Sequence, residues 1–223
     1  MLKFGLIGHP ISHSQSPALF AEAFGGKYPY ELIRTPDFEE AWSRFLSDYK
    51  AINVTAPFKE QALCRADIIT EECRLVGATN LCVKTSGGIK AYNSDYRGVR
   101  KILAGKGFGR GDVALVAGFG GAGKAAAQAC RGLGLDTIIC NRTTSKDKKL
   151  RPLDELSVLA AVADVIVYTL PVAVPGIDAF GGKTVLEANY RDPVLGSLPC
   201  DYISGTVWLR AQADEGYALM FEE

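Results

Sequence analysis

One segment constrains the fold of this chain more than any other: an apolar run at residues 113–117 that enters a glycine-rich turn and then an alanine-rich helix at 124–133. Gly118, Gly120 and Gly123 stand at the Gly-x-Gly-x-x-Gly spacing. That spacing allows a tight turn, close approach of a pyrophosphate to the backbone and close packing of a helix on a strand. A strand before the turn and a helix after it favour dinucleotide binding over a plain strand-to-helix turn, because the positive end of the helix faces the pyrophosphate. The predicted cofactor-binding residues of this turn are Gly118, Gly120, Gly121, Ala122 and Gly123.

The end of the next predicted strand, residues 137–140, indicates which dinucleotide binds. An NAD site places Asp or Glu there to hold the ribose hydroxyls, whereas this strand ends in Asn141, Arg142 and Thr143. A guanidinium and hydroxyl groups suit the additional 2′-phosphate of NADP. Three lysines follow, Lys146, Lys148 and Lys149. The sequence therefore predicts NADP as the cofactor, with a solvated basic loop as the alternative.

Composition excludes several other classes of protein. The 223 residues are 48% hydrophobic, enough for one large domain or two small ones. Lys and Arg together number 25 and so do Asp and Glu, so no positive surplus exists for binding nucleic acid. No apolar run is long enough to span a bilayer and the N-terminus enters a strand directly, which predicts a cytoplasmic protein without membrane contact. The six cysteines are scattered and only two histidines accompany them, so we expect neither zinc nor disulfides and no metal.

A loop with two serines follows the first predicted strand, residues 3–8. Pro17 suits the first turn of a helix at 18–24, so Ser16 would cap that helix while Ser14 presents a second hydroxyl nearby. Two converging hydroxyls can hold a substrate carboxylate. The alternative is that both serines only cap the helix and shape the turn.

Strands at 30–33 and 51–54, with an amphipathic helix at 38–46 between them, predict a parallel sheet. Thr55 comes directly after the third strand, at the edge where ligands bind in open α/β sheets. Pro57 places Lys59 in the first turn of the next helix. A cation at that position opposes the helix dipole, so Lys59 either has an anionic partner or acts as an acid or base; an exposed surface lysine is the alternative.

The segment after Lys59 predicts a β-hairpin at 81–84 and 89–92, preceded by Asn80. Ser94 or Asp95 would cap a helix at 96–107 that leads into the glycine-loop domain, and capping is the alternative role of Asp95. Strands at 164–169 and 184–188 complete a second sheet, the latter ending near Tyr190. The last stretch, 205–221, is an amphipathic helix with predicted inward residues Val207, Leu209, Ala213, Leu219 and Met220.

Taken together, these motifs resemble the shikimate dehydrogenase family from the first strand to the last helix. Members are similar in having a Ser-x-Ser-Pro loop, an Asn-Val-Thr-x-Pro-x-Lys segment, a Gly-Ala-x-Asn stretch, an Asn-x-Asp segment, the glycine loop, an Asn-Arg-Thr after the following strand and a late Gly-x-x-x-Leu-x-x-Gln helix. Here these motifs supply Ser14, Ser16, Asn53, Thr55, Lys59, Asn80, Asp95, Gly205, Leu209 and Gln212.

The resemblance implies an α/β protein of two domains: an open α/β substrate domain at 1–97 closed by 205–223, and a Rossmann-like NADP domain at 98–204. It implies NADPH-dependent reduction of 3-dehydroshikimate to shikimate, on the route to aromatic amino acids, with Lys59 and Asp95 as the catalytic pair. Serines 14 and 16 would hold the substrate carboxylate, and its hydroxyls would be held by Thr55, Asn80, Tyr190 and Gln212. The expected partners are therefore small molecules, in a monomer or homodimer.

The chain departs from the family pattern at four places. Residues 168–171 read Tyr-Thr-Leu-Pro where the family has Asn-Ala-Thr-Pro, and Tyr96 follows Asp95 in place of a glycine. Leu81 replaces a threonine, and Trp208 replaces a methionine near the nicotinamide. These departures keep two alternatives open: a quinate or quinate/shikimate dehydrogenase, and a nucleotide-binding sensor without catalysis.

Overall fold

The computed structural model describes residues 1–145 and 149–223, and the chain divides into two compact units. One unit comprises Met1–Ser94 with Ala213–Glu223, and the other comprises Asp95–Gln212. The domain bounds predicted from the sequence assign 95–97 and 205–212 to the first domain instead. Each unit has its own six-stranded sheet.

The sheet of the first unit is mixed, with strand order β2-β1-β3-β5-β6-β4. Its strands are β1 (Phe4–Gly8), β2 (Tyr30–Arg34), β3 (Ala51–Val54), β4 (Ile68–Ile69), β5 (Leu81–Thr85) and β6 (Gly88–Tyr92). β1 pairs in parallel with β2 and β3, as predicted, whereas β5 pairs antiparallel with β3 and β6. The predicted hairpin is confirmed, and β4 pairs in parallel with its second strand, β6.

Helices cover both faces of this sheet. They are α1 (Ser16–Phe24), α2 (Phe38–Asp48), α3 (Lys59–Cys64) and α4 (Glu71–Val76). The Asp37 carboxylate caps α2 by accepting the Glu39 N–H at 2.8 Å. The apolar stripe of α2, which includes Phe38, Trp42 and Phe45, packs with Ile7, Ile33 and Ile52 on one face. That burial holds the β3 end, and therefore the start of α3, in place.

The other face of the first sheet is covered by aromatic side chains. Phe4, Phe20 and Phe24 pack with Tyr217 and Phe221, with ring centroids between 4.6 and 5.4 Å apart. Tyr217 lies in the last helix of the chain, α8 (Gly205–Leu219). The prediction that this helix packs on the first domain is confirmed for its second half, whereas its first half belongs to the second unit.

The orientation predicted for the first turns of α8 is wrong at one position. Val207 is 45% exposed, whereas Trp208 beside it is 4% exposed. Ala213 and Met220 are buried as predicted. The buried stripe runs through Trp208 and Gly216 as well, and the sequence pattern conceals it because a glycine carries no hydrophobic signal.

The sheet of the second unit is entirely parallel, in the order β12-β11-β10-β7-β8-β9. Its strands are β7 (Val113–Ala117), β8 (Asp136–Asn141), β9 (Leu150–Pro152), β10 (Val165–Tyr168), β11 (Thr184–Glu187) and β12 (Asp201–Ile203). Counted within this unit, the order is 3-2-1-4-5-6 read from β9, which is the order of dinucleotide-binding folds. The predicted Rossmann-like sheet is therefore confirmed.

Three helices accompany this sheet: α5 (Ser94–Gly105), α6 (Gly121–Gly132) and α7 (Leu156–Val162). Leu156 and Leu159 of α7 pack on the face of the sheet that carries Leu115 and Ile166. α6 contacts β7, β8 and β10 and contributes nothing to that cluster, so it covers the opposite face. Two 3₁₀ turns, Leu153–Glu155 and Ile177–Phe180, take the place of longer crossover segments.

Four cysteines are buried, and all six in the described residues are free thiols. Burial raises the pKa of Cys82, Cys130 and Cys140 to about 12, so these thiols stay protonated at neutral pH. Within residues 1–145 and 149–223, no group of three or more acidic, histidine or cysteine side chains is placed to hold a metal. Across the same residues no helix has the length and apolar character needed to cross a membrane.

A buried carboxylate holds the loop between β11 and β12. Glu187, at 0% exposure, accepts the backbone N–H groups of Val194 at 2.7 Å and Leu195 at 3.4 Å, and the hydroxyl of Tyr202 at 2.7 Å. This one side chain therefore fixes the path of the segment that carries Tyr190.

Replacing this carboxylate should destabilise the second unit. We expect Glu187→Ala to lower the free energy of unfolding by about 3 kcal/mol, because two backbone donors and a phenol lose their acceptor. Equilibrium urea unfolding measures the change. Asp178→Ala, at an exposed position of the same unit, should change it by less than about 0.5 kcal/mol. Equal stabilities of the Glu187→Ala and Asp178→Ala variants would contradict this role.

Candidate cofactor and substrate sites

In the glycine turn after β7, the backbone conformation and packing of the protein require glycine at two positions, Gly118 and Gly123. Gly118 has φ +99°, in the region that disfavours side chains, and its N–H donates to the Cys140 carbonyl at 2.8 Å. A Cβ atom at Gly123 would lie 2.2 Å from the Gly118 carbonyl oxygen. α6 therefore packs against the turn more closely than any side chain permits. It begins at Gly121, three residues before the predicted start.

At the middle position, Gly120, neither backbone conformation nor packing within the protein requires a glycine. Gly120 has φ −74°, which any residue adopts, and a Cβ atom there would meet nothing within 4 Å. Its open surface lies at the N-terminus of α6, where the first backbone N–H groups have no partner within the helix. A space that a side chain would fill, next to free N–H donors and a positive helix end, fits a pyrophosphate.

The predicted 2′-phosphate loop is joined to this turn by Asn141. Its amide oxygen accepts the Phe119 N–H at 3.2 Å, and its amide nitrogen donates to the Thr143 carbonyl at 3.1 Å. Arg142 and Thr143 are exposed beside it. Asn141 therefore shapes the loop, and both polar atoms of its amide are used within the protein. Lys146 and Lys148 lie outside the described residues, while Lys149 is exposed.

The two serines of the first unit lie in hydrogen-bond contact. The Ser14 hydroxyl donates to the Ser16 hydroxyl at 3.1 Å, and the Ser16 N–H donates to Ser14 Oγ at 3.2 Å. The expectation that Ser16 caps the helix is wrong, because α1 begins at Ser16 and its cap position is Gln15, which makes no side-chain cap bond. Both hydroxyls thus form a pair at the start of α1.

Sequence reasoning missed Tyr30, which joins the serine pair to the end of β3. Its hydroxyl donates to the Asn53 amide oxygen at 2.8 Å. Burial raises the pKa of Tyr30 well above its usual range, and the charge of Tyr217 adds to the shift, while a hydrogen bond with Ser16 opposes it. The start of a strand directly after a glycine-rich turn carried no signal for this role.

Asn80 belongs to a buried polar network with Ser94 and Asn53. Its amide donates to the Ser94 hydroxyl at 3.0 Å and accepts the Ser94 N–H at 2.7 Å. Asn53 donates to the Asn80 carbonyl at 3.3 Å. Neighbouring Thr79 donates its N–H to the Lys59 carbonyl at 3.1 Å. Hydrogen bonds therefore hold the end of β3 with Asn53, the start of β5 with Asn80 and the start of α3 with Lys59 together at one edge of the sheet.

Lys59 is the first residue of α3, as predicted, but Pro57 is not part of that helix. The cap position is Phe58, whose ring is 2% exposed and packs against Phe38. Thr55 lies just before, with its methyl group filling the space beside Gly8. Lys59 and Thr55 are both partly buried, and Lys59 has an interaction partner.

The remaining predicted site residues, Asp95, Tyr190 and Gln212, belong to the second unit. α5 begins at Ser94, so Asp95 is inside its first turn instead of preceding the helix as predicted. Gly98, one turn further on the same face, has no side chain because the backbone of Gln212 lies 2.8 Å from where its Cβ atom would be. The closest approach of α5 and α8 therefore lies at Gly98 and Gln212, one turn along α5 from Asp95.

The backbone of Tyr190 lies against the start of α8. A Cβ atom at Gly205, where α8 begins, would lie 2.7 Å from the Tyr190 N–H nitrogen. Burial raises the pKa of Tyr190, so its hydroxyl is a neutral donor and acceptor at physiological pH.

At three of the positions that depart from the family pattern, the structure shows what surrounds the changed side chain. Leu170 lies over the glycine turn, 3.1 Å from where a Gly118 Cβ would be. The Tyr96 hydroxyl occupies the space beside Gly132 at the end of α6, 2.4 Å from the position of a Cβ there, so the added ring is accommodated by a missing side chain. Leu81 is fully buried in the aromatic face of the first sheet.

Comparison with known proteins agrees with this architecture. The model of the shikimate dehydrogenase substrate binding domain matches residues 6–82. The shikimate dehydrogenase (NADP(+)) of Halothermothrix orenii is 34% identical over 87% of this chain and 76% of its own length. That of Thermus thermophilus is 37% identical over 66% of this chain, which covers 57% of the relative.

A crystal structure resembles the whole chain. Shikimate 5-dehydrogenase from Thermus thermophilus, in complex with NADP(H) and shikimate, superposes with a TM-score of 0.84 at 28% identity, covering 99% of this chain and 94% of the other. Because a relative more than 30% identical is matched over three quarters of its length and the fold agrees throughout, this chain belongs to the shikimate dehydrogenase family.

Proposed function

We propose that this protein is an NADP-dependent shikimate dehydrogenase that reduces 3-dehydroshikimate to shikimate, reversibly, on the route through chorismate to the aromatic amino acids. The observation that carries the proposal is the open glycine cradle beside Arg142, in a chain of this family. The relative from Thermus thermophilus was crystallised with NADP(H) and shikimate, the two ligands that the proposal requires.

The cofactor half of the proposal rests on the second unit. The backbone from Gly118 to Gly123 would bind the pyrophosphate, with Gly120 as the point of closest approach. Arg142 and Thr143 would hold the 2′-phosphate by charge-assisted and neutral hydrogen bonds. When bound, NADPH would supply the hydride.

The substrate half assigns each polar group a partner of matching chemistry. Ser14 and Ser16 would donate to the carboxylate, which their 3.1 Å separation supports. The ring hydroxyls would be held by Thr55, Asn80, Tyr190 and Gln212. Tyr30 supports the serine pair through its contact with Ser16, and Asn53 connects it to Asn80.

Lys59 and Asp95 would carry the proton. Hydride addition to the ketone carbon leaves an alkoxide, and a protonated lysine beside that oxygen stabilises the charge and then donates its proton. A carboxylate next to the ammonium favours its charged form and orients it. The products are a secondary alcohol and a neutral amine, which takes its proton back from solvent.

Two alternatives are separated by one assay. A quinate or quinate/shikimate dehydrogenase would turn over quinate at a rate comparable to shikimate, and a nucleotide-binding sensor would bind NADP without oxidising either acid. Absorbance of NADPH at about 340 nm, measured with each acid and with NADP or NAD, distinguishes all three. A cytoplasmic location and a monomeric or homodimeric state belong to the same proposal.

The first prediction from this function concerns Lys59. We expect Lys59→Ala to lower kcat for shikimate oxidation by about 100-fold to 10,000-fold, because the hydroxyl loses the base that takes its proton as the hydride leaves. Circular dichroism and thermal unfolding should show the fold retained. Lys27→Ala, at an exposed position of the same unit, should keep the wild-type rate. Equal rates in Lys59→Ala and wild type would contradict the assigned role.

The second prediction uses two glycines of the same turn. Gly120→Val should leave the melting temperature close to wild type and raise the Kd for NADP about tenfold to hundredfold, because the side chain occupies the space for the pyrophosphate. Gly123→Ala should instead lower the melting temperature, because its Cβ collides with the Gly118 carbonyl. Calorimetric titration and thermal unfolding measure the two effects. Unchanged NADP affinity in Gly120→Val would place the cofactor elsewhere.

The third prediction concerns cofactor choice. Arg142→Ala should raise the Kd for NADP about tenfold to hundredfold while leaving that for NAD unchanged, because only NADP carries the 2′-phosphate that a guanidinium binds. Arg110→Ala, at an exposed position outside this loop, is the matched control. A parallel loss of affinity for both cofactors would show that Arg142 does not select between them.

A further inference from the structure

Among the buried side-chain nitrogen and oxygen atoms of the described residues, the indole Nε1 of Trp208 is the one without a hydrogen-bond partner. The residue is 4% exposed, so water does not reach it freely. Burying a donor without an acceptor is unfavourable, and folded proteins almost always pair such groups with protein, water or ligand. The unpaired N–H therefore indicates an acceptor that the polypeptide does not supply.

Trp208 lies at the ligand edge of the second sheet. It is in the first turn of α8, which follows β12, and the start of that helix packs against the backbone of Asn189 and Tyr190 just beyond β11. Open parallel sheets bind their ligands at the carboxyl ends of the strands, near the point where strand order reverses. In this sheet that point is β7, with its glycine turn.

The strand order assigns the two halves of a dinucleotide to opposite sides of this turn. Arg142 follows β8, on one side of β7, and a 2′-phosphate bound there places the adenosine half on that side. The other half then lies on the side of β10 and β11, and the start of α8, which carries Trp208, packs against the backbone just beyond β11. Its nicotinamide ring carries a carboxamide oxygen, a neutral acceptor that matches a neutral indole donor.

We propose that the Trp208 N–H is a cofactor-binding group of this chain, donating to the carboxamide oxygen of the nicotinamide. This inference rests on the proposed binding of NADP. The hydrogen bond orients the ring that carries the hydride, and it gives the unpaired donor its acceptor.

Trp208→Phe tests the proposal because it keeps a six-membered aromatic ring and removes the five-membered ring that carries the N–H donor. We expect its Kd for NADP to rise about fivefold to tenfold. The Kd for 2′-phospho-ADP-ribose, which lacks the nicotinamide, should stay at the wild-type value. The melting temperature without ligand should fall by less than in Trp42→Phe, because both variants lose the same ring volume but only Trp208→Phe also removes an unpaired buried donor. Trp42→Phe, in the core of the first unit, should change neither Kd.

An indole nuclear magnetic resonance spectrum of the wild type supplies a second readout that needs no stable variant. The chain has two tryptophans, so two indole N–H signals are expected, and the one missing in Trp208→Phe or kept in Trp42→Phe belongs to Trp208. NADP should shift that signal downfield, and 2′-phospho-ADP-ribose should not.

The outcomes separate this inference from the function beneath it. Wild-type binding of both ligands with an unmoved Trp208 signal, or equal NADP affinity in Trp208→Phe, overturns the role of Trp208 alone. Failure of the wild type to bind NADP at all removes both proposals together.

Discussion

The second unit depends on the contact between α6 and the turn after β7. With no side chain at Gly123, the helix backbone rests against the Gly118 carbonyl, at a distance that leaves 2.2 Å for a Cβ atom. That approach fixes where α6 begins and therefore where its free N–H groups and positive end point. The open surface at Gly120, and the proximity of Asn141 to the turn, both follow from this one steric constraint. The open surface proposed for the cofactor therefore results from the close packing of α6 against the turn after β7.

The first unit differs from the second because its polar network, around Asn80 and Ser94, is buried. Hydrogen bonds connect Asn53 to Asn80 and Asn80 to Ser94. These bonds offset part of the free energy needed to remove the polar groups from water. Aromatic packing on one face of the sheet and the α2 stripe on the other exclude solvent around this network. The site residues are consequently held by strand ends whose positions the two hydrophobic layers determine.

The departures from the family pattern show how local changes are compensated within one unit. Tyr96 needs the space that Gly132 leaves, so these two residues behave as a pair although 36 positions separate them in sequence. Leu170 covers the glycine turn while Thr169 keeps its hydroxyl on the Ala117 carbonyl at 2.9 Å. Trp208 is the exception, since its ring is buried but its donor is not paired within the described protein.

The sequence by itself determined the strand, turn and helix of the glycine loop, the hairpin and the position of Lys59, because these follow from local spacing and from residues with restricted backbone geometry. It identified both the family and the two sheets. Only the tertiary structure decided that Ser16 lies inside its helix, that Tyr30 joins the serines to Asn53, that Glu187 holds the loop before β12, and that Trp208 replaces Val207 on the buried face of α8. Each of these depends on contacts between residues far apart in the chain, and the burial of a polar or aromatic group is set by what packs over it, which local pattern does not encode.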